Sequence, residues 1–185
     1  DIIVCQDAAY SEVTYDGHRA PSILEVPGAL DCVVEFHSLS KTYNMTGGAP
    51  AAQPVIEALT RLKSNMDSGI FAAVQEAGIA ALNMPPAWID ERNAIYQRRR
   101  DLVIDTLREM NLEPEVPPAS LYVWSPVPDG YDSSSFAARV IEEAGVIVTP
   151  GLGFGPGGDG YFRISLTISD ERLKEALERL AALSF

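Results

Sequence analysis

Two short, mostly apolar runs, at residues 2–6 and 32–36, constrain the fold of this chain more than any other feature. A continuous run, unlike an alternating one, is the pattern of a parallel strand covered on both faces. The connection between them is polar and rich in turn residues, with Tyr15-Asp16-Gly17 and Pro27-Gly28. The first run begins at the second residue, with no cap before it. A chain that opens inside a core strand is expected to be truncated.

From Pro54 the period changes. Val55, Leu59 and Leu62 fit one helical face, with Pro54 suited to the first turn. A second helix is expected over 71–82 and halts at Pro85-Pro86. A long helix follows over 88–110, with Ile89, Ile95, Leu102, Val103 and Leu107 as its apolar stripe. After it the pattern becomes α+β: strands at 121–124, 146–148 and 161–166, a helix at 134–144, and a closing amphipathic helix at 169–183 with Ser169 as N-cap. The expected fold is α/β. A partial large domain, mainly parallel sheet, spans 1–86, and a small α+β domain spans 87–185.

Composition narrows the function. Fourteen basic against 26 acidic side chains leave a net charge of -12, a field that repels phosphodiester backbones and anionic lipid. Nucleic acid and membrane surfaces are therefore poor partners. No apolar run approaches the roughly 18 residues of a membrane span. Arg98-Arg99-Arg100, flanked by acidic residues, reads as a solvated or interdomain face. Cys5 and Cys32 lie in strand-like runs without metal-type spacing, and read as buried free thiols of a reducing cytosol.

Other motifs fail on their context. Gly153, Gly155 and Gly158 spell a literal GxGxxG, but Pro156 interrupts it and a strand follows. A dinucleotide site needs a helix starting inside that motif, so a shaped loop between strands is expected instead. His18 and His37 stand apart from any carboxylate or cysteine cluster that would complete a metal site. No nucleophile-elbow glycines bracket Ser38 or Ser40.

Asp7, Tyr10, Ser38, Ser40, Lys41 and Arg163 make chemical sense together. Asp7 and Tyr10 follow the first run, and Ser38, Ser40 and Lys41 follow the second. In an open parallel sheet, ligands bind beyond the carboxyl ends of the strands, which places both groups on one crevice. A carboxylate there pairs with a protonated ring nitrogen, a phenol with a ring oxygen, hydroxyls with phosphate, and an amine with an aldehyde. Arg163, an isolated cation in Tyr-Phe-Arg-Ile-Ser-Leu, suits a substrate carboxylate.

In order along the chain, Asp7-Ala8-Ala9-Tyr10, Ser38-Leu39-Ser40-Lys41-Thr42-Tyr43-Asn44-Met45-Thr46-Gly47, Tyr122-Val123-Trp124, Pro150-Gly151 with Phe154-Gly155, and Tyr161-Phe162-Arg163-Ile164-Ser165 resemble the class I and II aminotransferases. These are fold-type I pyridoxal-phosphate enzymes, and the nearest branch is that of LL-diaminopimelate, alanine and aspartate aminotransferases. The resemblance runs the length of the chain and covers about the latter half of such an enzyme. It implies pyridoxal 5'-phosphate as cofactor, amino acid and 2-oxo acid substrates, a homodimer and a cytoplasmic location. It also implies that Lys41 binds the cofactor covalently and moves the α-carbon proton, and that Asp7 keeps the ring nitrogen protonated. Tyr10 would meet the ring hydroxyl oxygen, Ser38 and Ser40 the phosphate, and Arg163 the substrate α-carboxylate.

The pattern departs in two places, the front half of such an enzyme, which this sequence does not include, and the segment after Gly47. Where the family continues after Gly47 with approximately Trp-Arg-Ile-Gly, this chain has Gly48-Ala49-Pro50-Ala51-Ala52, and Ala49 stands where a phosphate-binding arginine is expected. Impaired activity is the expectation. The alternatives are a non-catalytic remnant acting as an interaction domain, and a C–S lyase of the same fold.

Overall fold

The computed structural model describes residues 2–43, 53–66 and 69–185. Ala49, its shortened segment and motif residues 44–47 lie outside them. The chain divides into two compact units, Asp1–Asn93 and Ala94–Phe185.

In the first unit, strands β1 (Val4–Asp7) and β2 (Val33–Phe36) pair in parallel, from Val4 opposite Val33 to Asp7 opposite Phe36. The ladder extends at both ends, the Val4 amide donating to the Cys32 carbonyl at 2.9 Å and the Ala8 amide to Phe36 at 2.7 Å. The polar connection turns back at Asp16 and Gly17, with φ of 55° and 72°. It also buries Val13 and Tyr15. After β2 come the single-turn helix α1 (Leu39–Thr42), then α2 (Gln53–Met66) and α3 (Ala72–Leu82). The long helix α4 (Ala87–Glu109) starts in this unit and ends in the next.

Cover on both faces is found for β2 alone. Val33, Val34 and Glu35 are buried, whereas Val4 is 39% exposed and Ile2, just before β1, is 80% exposed. Among the described residues β1 belongs to a two-stranded sheet and has one strand neighbour, which leaves it half its potential partners. The same geometry corrects the cysteine reading, because Cys5 and Cys32 are both exposed free thiols.

The second unit is the expected α+β layer. Strands β3 (Tyr122–Pro126), β4 (Thr149–Pro150) and β5 (Tyr161–Ser165) form an antiparallel sheet in the order β3-β5-β4. Helix α5 (Ser133–Arg139) runs on through a π turn, Val140–Ala144, to Gly145 at φ 63°. Val103, Ile104 and Leu107 of α4, Phe136 and Val140, Val123 of β3 and Phe162 of β5 close one core. Leu173, Leu177 and Leu180 of α6 (Asp170–Ala181) complete it at spacings of four and three. Ser169 caps α6 as expected, accepting from the Arg172 amide at 3.4 Å.

Two expectations change here. Residues 146–148 do not pair, and the strand is confined to Thr149 and Pro150. The Val146 amide still donates to Val140 at 3.4 Å, so the chain leaves its helix too late to reach the sheet earlier. In the arginine triplet, Arg98 alone is solvated. Arg99 donates to the Leu166 carbonyl at 3.0 Å and pairs with Asp170, and Arg100 is buried, donating to the Pro117 carbonyl at 3.1 Å and to Asp101. These cations fasten α4 to the chain around it.

Helix α5 starts in a capping box that makes this unit acid-sensitive. The Ser135 amide donates to the Asp132 carboxylate at 2.7 Å, and the Asp132 amide donates to the Ser135 hydroxyl at 3.2 Å. The Ser135 amide first, then its hydroxyl and the Ser134 amide, hold the Asp132 carboxyl below its ordinary range. With the folded value below the unfolded one, the contribution is full above about pH 4 and drains as pH falls through the lower folded value. Asp132→Asn retains a good cap but not this titration. The gap between the urea midpoints of the two proteins should therefore narrow steadily as pH falls from about 5 to about 2. A gap constant across that range would show that the box does not carry the acid response.

Candidate functional site

Parallel pairing puts the carboxyl ends of β1 and β2 on one edge. Asp7 closes β1 opposite Phe36, which closes β2, so the loops carrying Tyr10 and Lys41 leave the sheet side by side. The Tyr10 loop turns tightly, the Ser11 amide donating to Ala8 at 3.2 Å and the Val13 amide to Tyr10 at 2.9 Å. On the other loop Ser38 is extended, with φ of −133°, and the Lys41 amide donates to its carbonyl at 3.2 Å as α1 begins. The Lys41 ammonium stands 5.5 Å from the centre of the Tyr10 ring. Two sequence candidates 31 positions apart are thus in direct contact.

The other candidates of this unit occupy the same edge. Asp7 is exposed, its carboxylate accepting from the Ala9 amide at 3.4 Å, a long bond that leaves capacity for a stronger donor. The Ser38 hydroxyl makes no capping bond to α1, and Ser40 is half-buried.

Two features of this edge escaped the sequence reading. Glu35, on β2, is 3% exposed, and its carboxylate accepts from the Ser22 hydroxyl at 2.6 Å, the Ile23 amide at 3.2 Å and His37 Nε2 at 2.7 Å. It pins the inter-strand connection and His37 beside Ser38, and its only signal was a carboxylate inside an apolar run. The second feature is the foot of α4. Trp88 stacks on Tyr43 at 5.7 Å and 23°, and the Arg92 guanidinium lies 5.6 Å over Trp88. A tryptophan and an arginine one helical turn apart were the available signal.

The second unit places Arg163 on β5, opposite Trp124 of β3 and Thr149 of β4. Its guanidinium is sandwiched between aromatic faces, 4.1 Å from the centre of the Tyr122 ring and 4.5 Å from that of Phe154. Its Nε is buried and lacks a hydrogen-bond partner among the described residues. An unpaired buried donor costs about 1–3 kcal/mol. A ligand oxygen arriving there recovers that cost, and a carboxylate recovers most by accepting two bonds.

Phe154 is held over Arg163 by the glycine loop. Gly151–Phe154 and Pro156–Gly158 are successive 3-10 turns with no helix starting inside, the shaped loop the sequence predicts. The turns touch at their bases: a Cβ at Gly151 would lie 2.1 Å from the Gly158 carbonyl oxygen and 2.9 Å from the Trp124 ring. Trp124 meets Phe154 edge-on at 5.6–5.7 Å from its two aromatic neighbours, stacking flat on Tyr161. Among the described residues no group of three His, Cys, Asp or Glu is placed to hold a metal ion, and no helix is long and apolar enough to cross a membrane.

The family model for aminotransferase class I and II matches residues 1–180. The LL-diaminopimelate aminotransferase of Moorella thermoacetica is 57% identical over 184 residues, covering 97% of this chain and 47% of that protein. The protein of the same name from Desulforudis audaxviator is 55% identical over 183 residues, with the same coverages of 97% and 47%. Among solved structures, an aromatic aminotransferase from Pyrococcus horikoshii superposes with a TM-score of 0.89 at 33% identity, covering 97% of this chain and 50% of that one. A probable N-succinyldiaminopimelate aminotransferase from Thermus thermophilus gives 0.87 at 35% identity, with coverages of 97% and 49%. The chain spans about half the length of the relatives it matches.

The glycine contact yields a test. Gly151→Ala must push two backbone segments apart and should cost about 1–3 kcal/mol, read as a lower urea midpoint. Trp124 fluorescence should change with it, because the added methyl meets that ring. Unaltered stability and fluorescence would mean that the loop is not clamped at its base.

Proposed function

The chain belongs to the class I and II aminotransferase family, and we propose that its two units serve a pyridoxal 5'-phosphate-dependent transfer of an amino group from an amino acid to a 2-oxo acid. The observation that carries this reading is the Lys41 ammonium over the Tyr10 ring, on the edge where β1 delivers Asp7. The donor set fits the cofactor: an amine for its aldehyde, a carboxylate for its ring nitrogen, a phenol for its ring oxygen and hydroxyls for its phosphate. When bound, pyridoxal phosphate supplies an aldehyde and an electron-withdrawing ring that make an α-carbon proton removable. Lys41 holds the cofactor and moves that proton, since its amine is the one base of the set on a flexible stem. Asp7, acceptor-only when ionised, keeps a proton on the ring nitrogen. Tyr10 donates its phenol proton to the ring oxygen, and Ser38 and Ser40 donate to the phosphate.

Arg163 takes the substrate α-carboxylate. Its orphaned Nε and the flat aromatic walls of Tyr122 and Phe154 favour a planar anion and exclude water around it. The names of the relatives make LL-diaminopimelate the first amino donor to try. By the same family reading the working enzyme is a homodimer in the cytoplasm.

A second reading, a non-catalytic remnant, has Ala49 in its favour, because the expected phosphate-binding arginine is absent. One experiment separates the two. The chain has three lysines, Lys41, Lys63 and Lys174. Borohydride reduction after incubation with pyridoxal phosphate, followed by peptide mapping, should fix the label chiefly on Lys41. An even spread over all three, or no label, favours the remnant. Ala49→Arg should raise cofactor affinity by about one to two decades, the value of a charge-assisted phosphate contact. Unchanged affinity in a titration would mean that this position does not reach the phosphate.

A further inference from the structure

The lysine turn is too short to hold itself. Helix α1 is a single turn, and an isolated turn fixes many dihedrals for few hydrogen bonds. Its last carbonyls have no partner further along the helix. Those carbonyls go to Arg92, which is 6% exposed. One terminal nitrogen donates to the Lys41 carbonyl at 3.1 Å and also to the Thr42 carbonyl. The other terminal nitrogen donates to the Glu12 carbonyl at 2.6 Å, two residues past Tyr10. A single rigid fork therefore ties the backbone of the Lys41 loop to that of the Tyr10 loop.

The fork is itself aimed. Asn93 Oδ1 accepts from Arg92 Nε at 3.2 Å and from a terminal nitrogen at 2.7 Å, while the Asn93 amide nitrogen donates to the same Glu12 carbonyl at 2.9 Å. Trp88 lies under the guanidinium and stacks on Tyr43, the residue that ends α1. On the other side Leu39 of α1 rests on α3, where even a methyl at Gly78 would come within 3.3 Å of Leu39 Cδ1. The lysine turn is thus gripped through its carbonyls, its C-terminal aromatic and its one apolar foot.

We propose that Arg92 is a positioning residue, which sets Lys41 over Tyr10 by fastening the two loops to the foot of α4. The assignment rests on the cofactor reading above and deepens it. Arg92 touches no reacting atom. It fixes where the amine stands, and a displacement of about 1 Å at such a group is enough to cost a reaction about a hundredfold. A lysine in its place is one point charge and cannot bridge carbonyls on two loops.

The test uses the complete chain and three variants, Arg92→Lys, Arg92→Met and Asn93→Ala. Each is incubated with pyridoxal phosphate, reduced with borohydride and mapped, and the pH dependence of the adduct's absorbance is followed before reduction. In both Arg92 variants the share of label on Lys41 should fall about tenfold or more relative to Lys63 and Lys174, with a displaced pH profile. Asn93→Ala, which keeps the arginine but loosens its aim, should move both readouts the same way by less. It decides the matter should the Arg92 variants fail to fold. If Lys41 keeps its share and its pH profile in every folded variant, even at a lower melting temperature, Arg92 is a structural tie only and the assignment is overturned. If the unsubstituted chain places no label on Lys41, the cofactor reading itself fails and takes this assignment with it.

Discussion

Four residue pairs of parallel ladder, from Val4 with Val33 to Asp7 with Phe36, decide which loops meet in the first unit. A slip of one residue would turn Asp7 to the other face of the sheet and carry Ala8 away from the Phe36 carbonyl that receives its amide. The register is specified by one strand only, through the buried Val33, Val34 and Glu35 of β2. It is reinforced by polar fastening, with Glu35 holding the connection at Ser22 and Ile23, and Arg92 holding the loops beyond the strand ends. This unit relies on directed hydrogen bonds where the second relies on a continuous apolar core.

The contrast explains what could be read from the sequence. Helices and strands with a consistent apolar face were legible, because period and burial agree in α6, β3 and β5, whereas in α4 Val103 and Leu107 of the expected stripe are buried and Ile95 and Leu102 are exposed. Ser169 announced its cap. The pairing of the first two runs was legible in type, but their burial was not, since continuous apolar sequence states what a strand can cover and not whether neighbours are present to cover it. Cys5 and Cys32 fell with the same inference. The strand sought at 146–148 failed because no pattern reveals that a helix ends in a wide turn and keeps the Val146 amide for itself.

The contacts of the first unit divide along the same line. Tyr10 and Lys41, which meet in the structure, stood out in the sequence because their side chains carry recognisable chemistry at strand ends. Arg92 was missed because its partners are backbone carbonyls of Glu12, Lys41 and Thr42, and a carbonyl has no letter in the sequence. Arg100 was misassigned for the same reason, its partner being the Pro117 carbonyl. A buried arginine that serves the main chain looks, in sequence, like any other charge on an amphipathic helix.

The glycine loop above Arg163 has a consequence for how this surface can diversify. Gly151 and Gly158 are locked to each other's carbonyls, whereas a side chain at Gly153 or Gly157 would meet open space. Random change is therefore filtered by position within eight residues: Gly151, Gly158 and the positive-φ Gly155 are barred, and Gly153 and Gly157 are permissive. New side chains can accumulate at Gly153 and Gly157 without disturbing the contact at the base of the loop. A lineage can vary these side chains while the packing of Arg163 on Tyr122 and Phe154 stays constant.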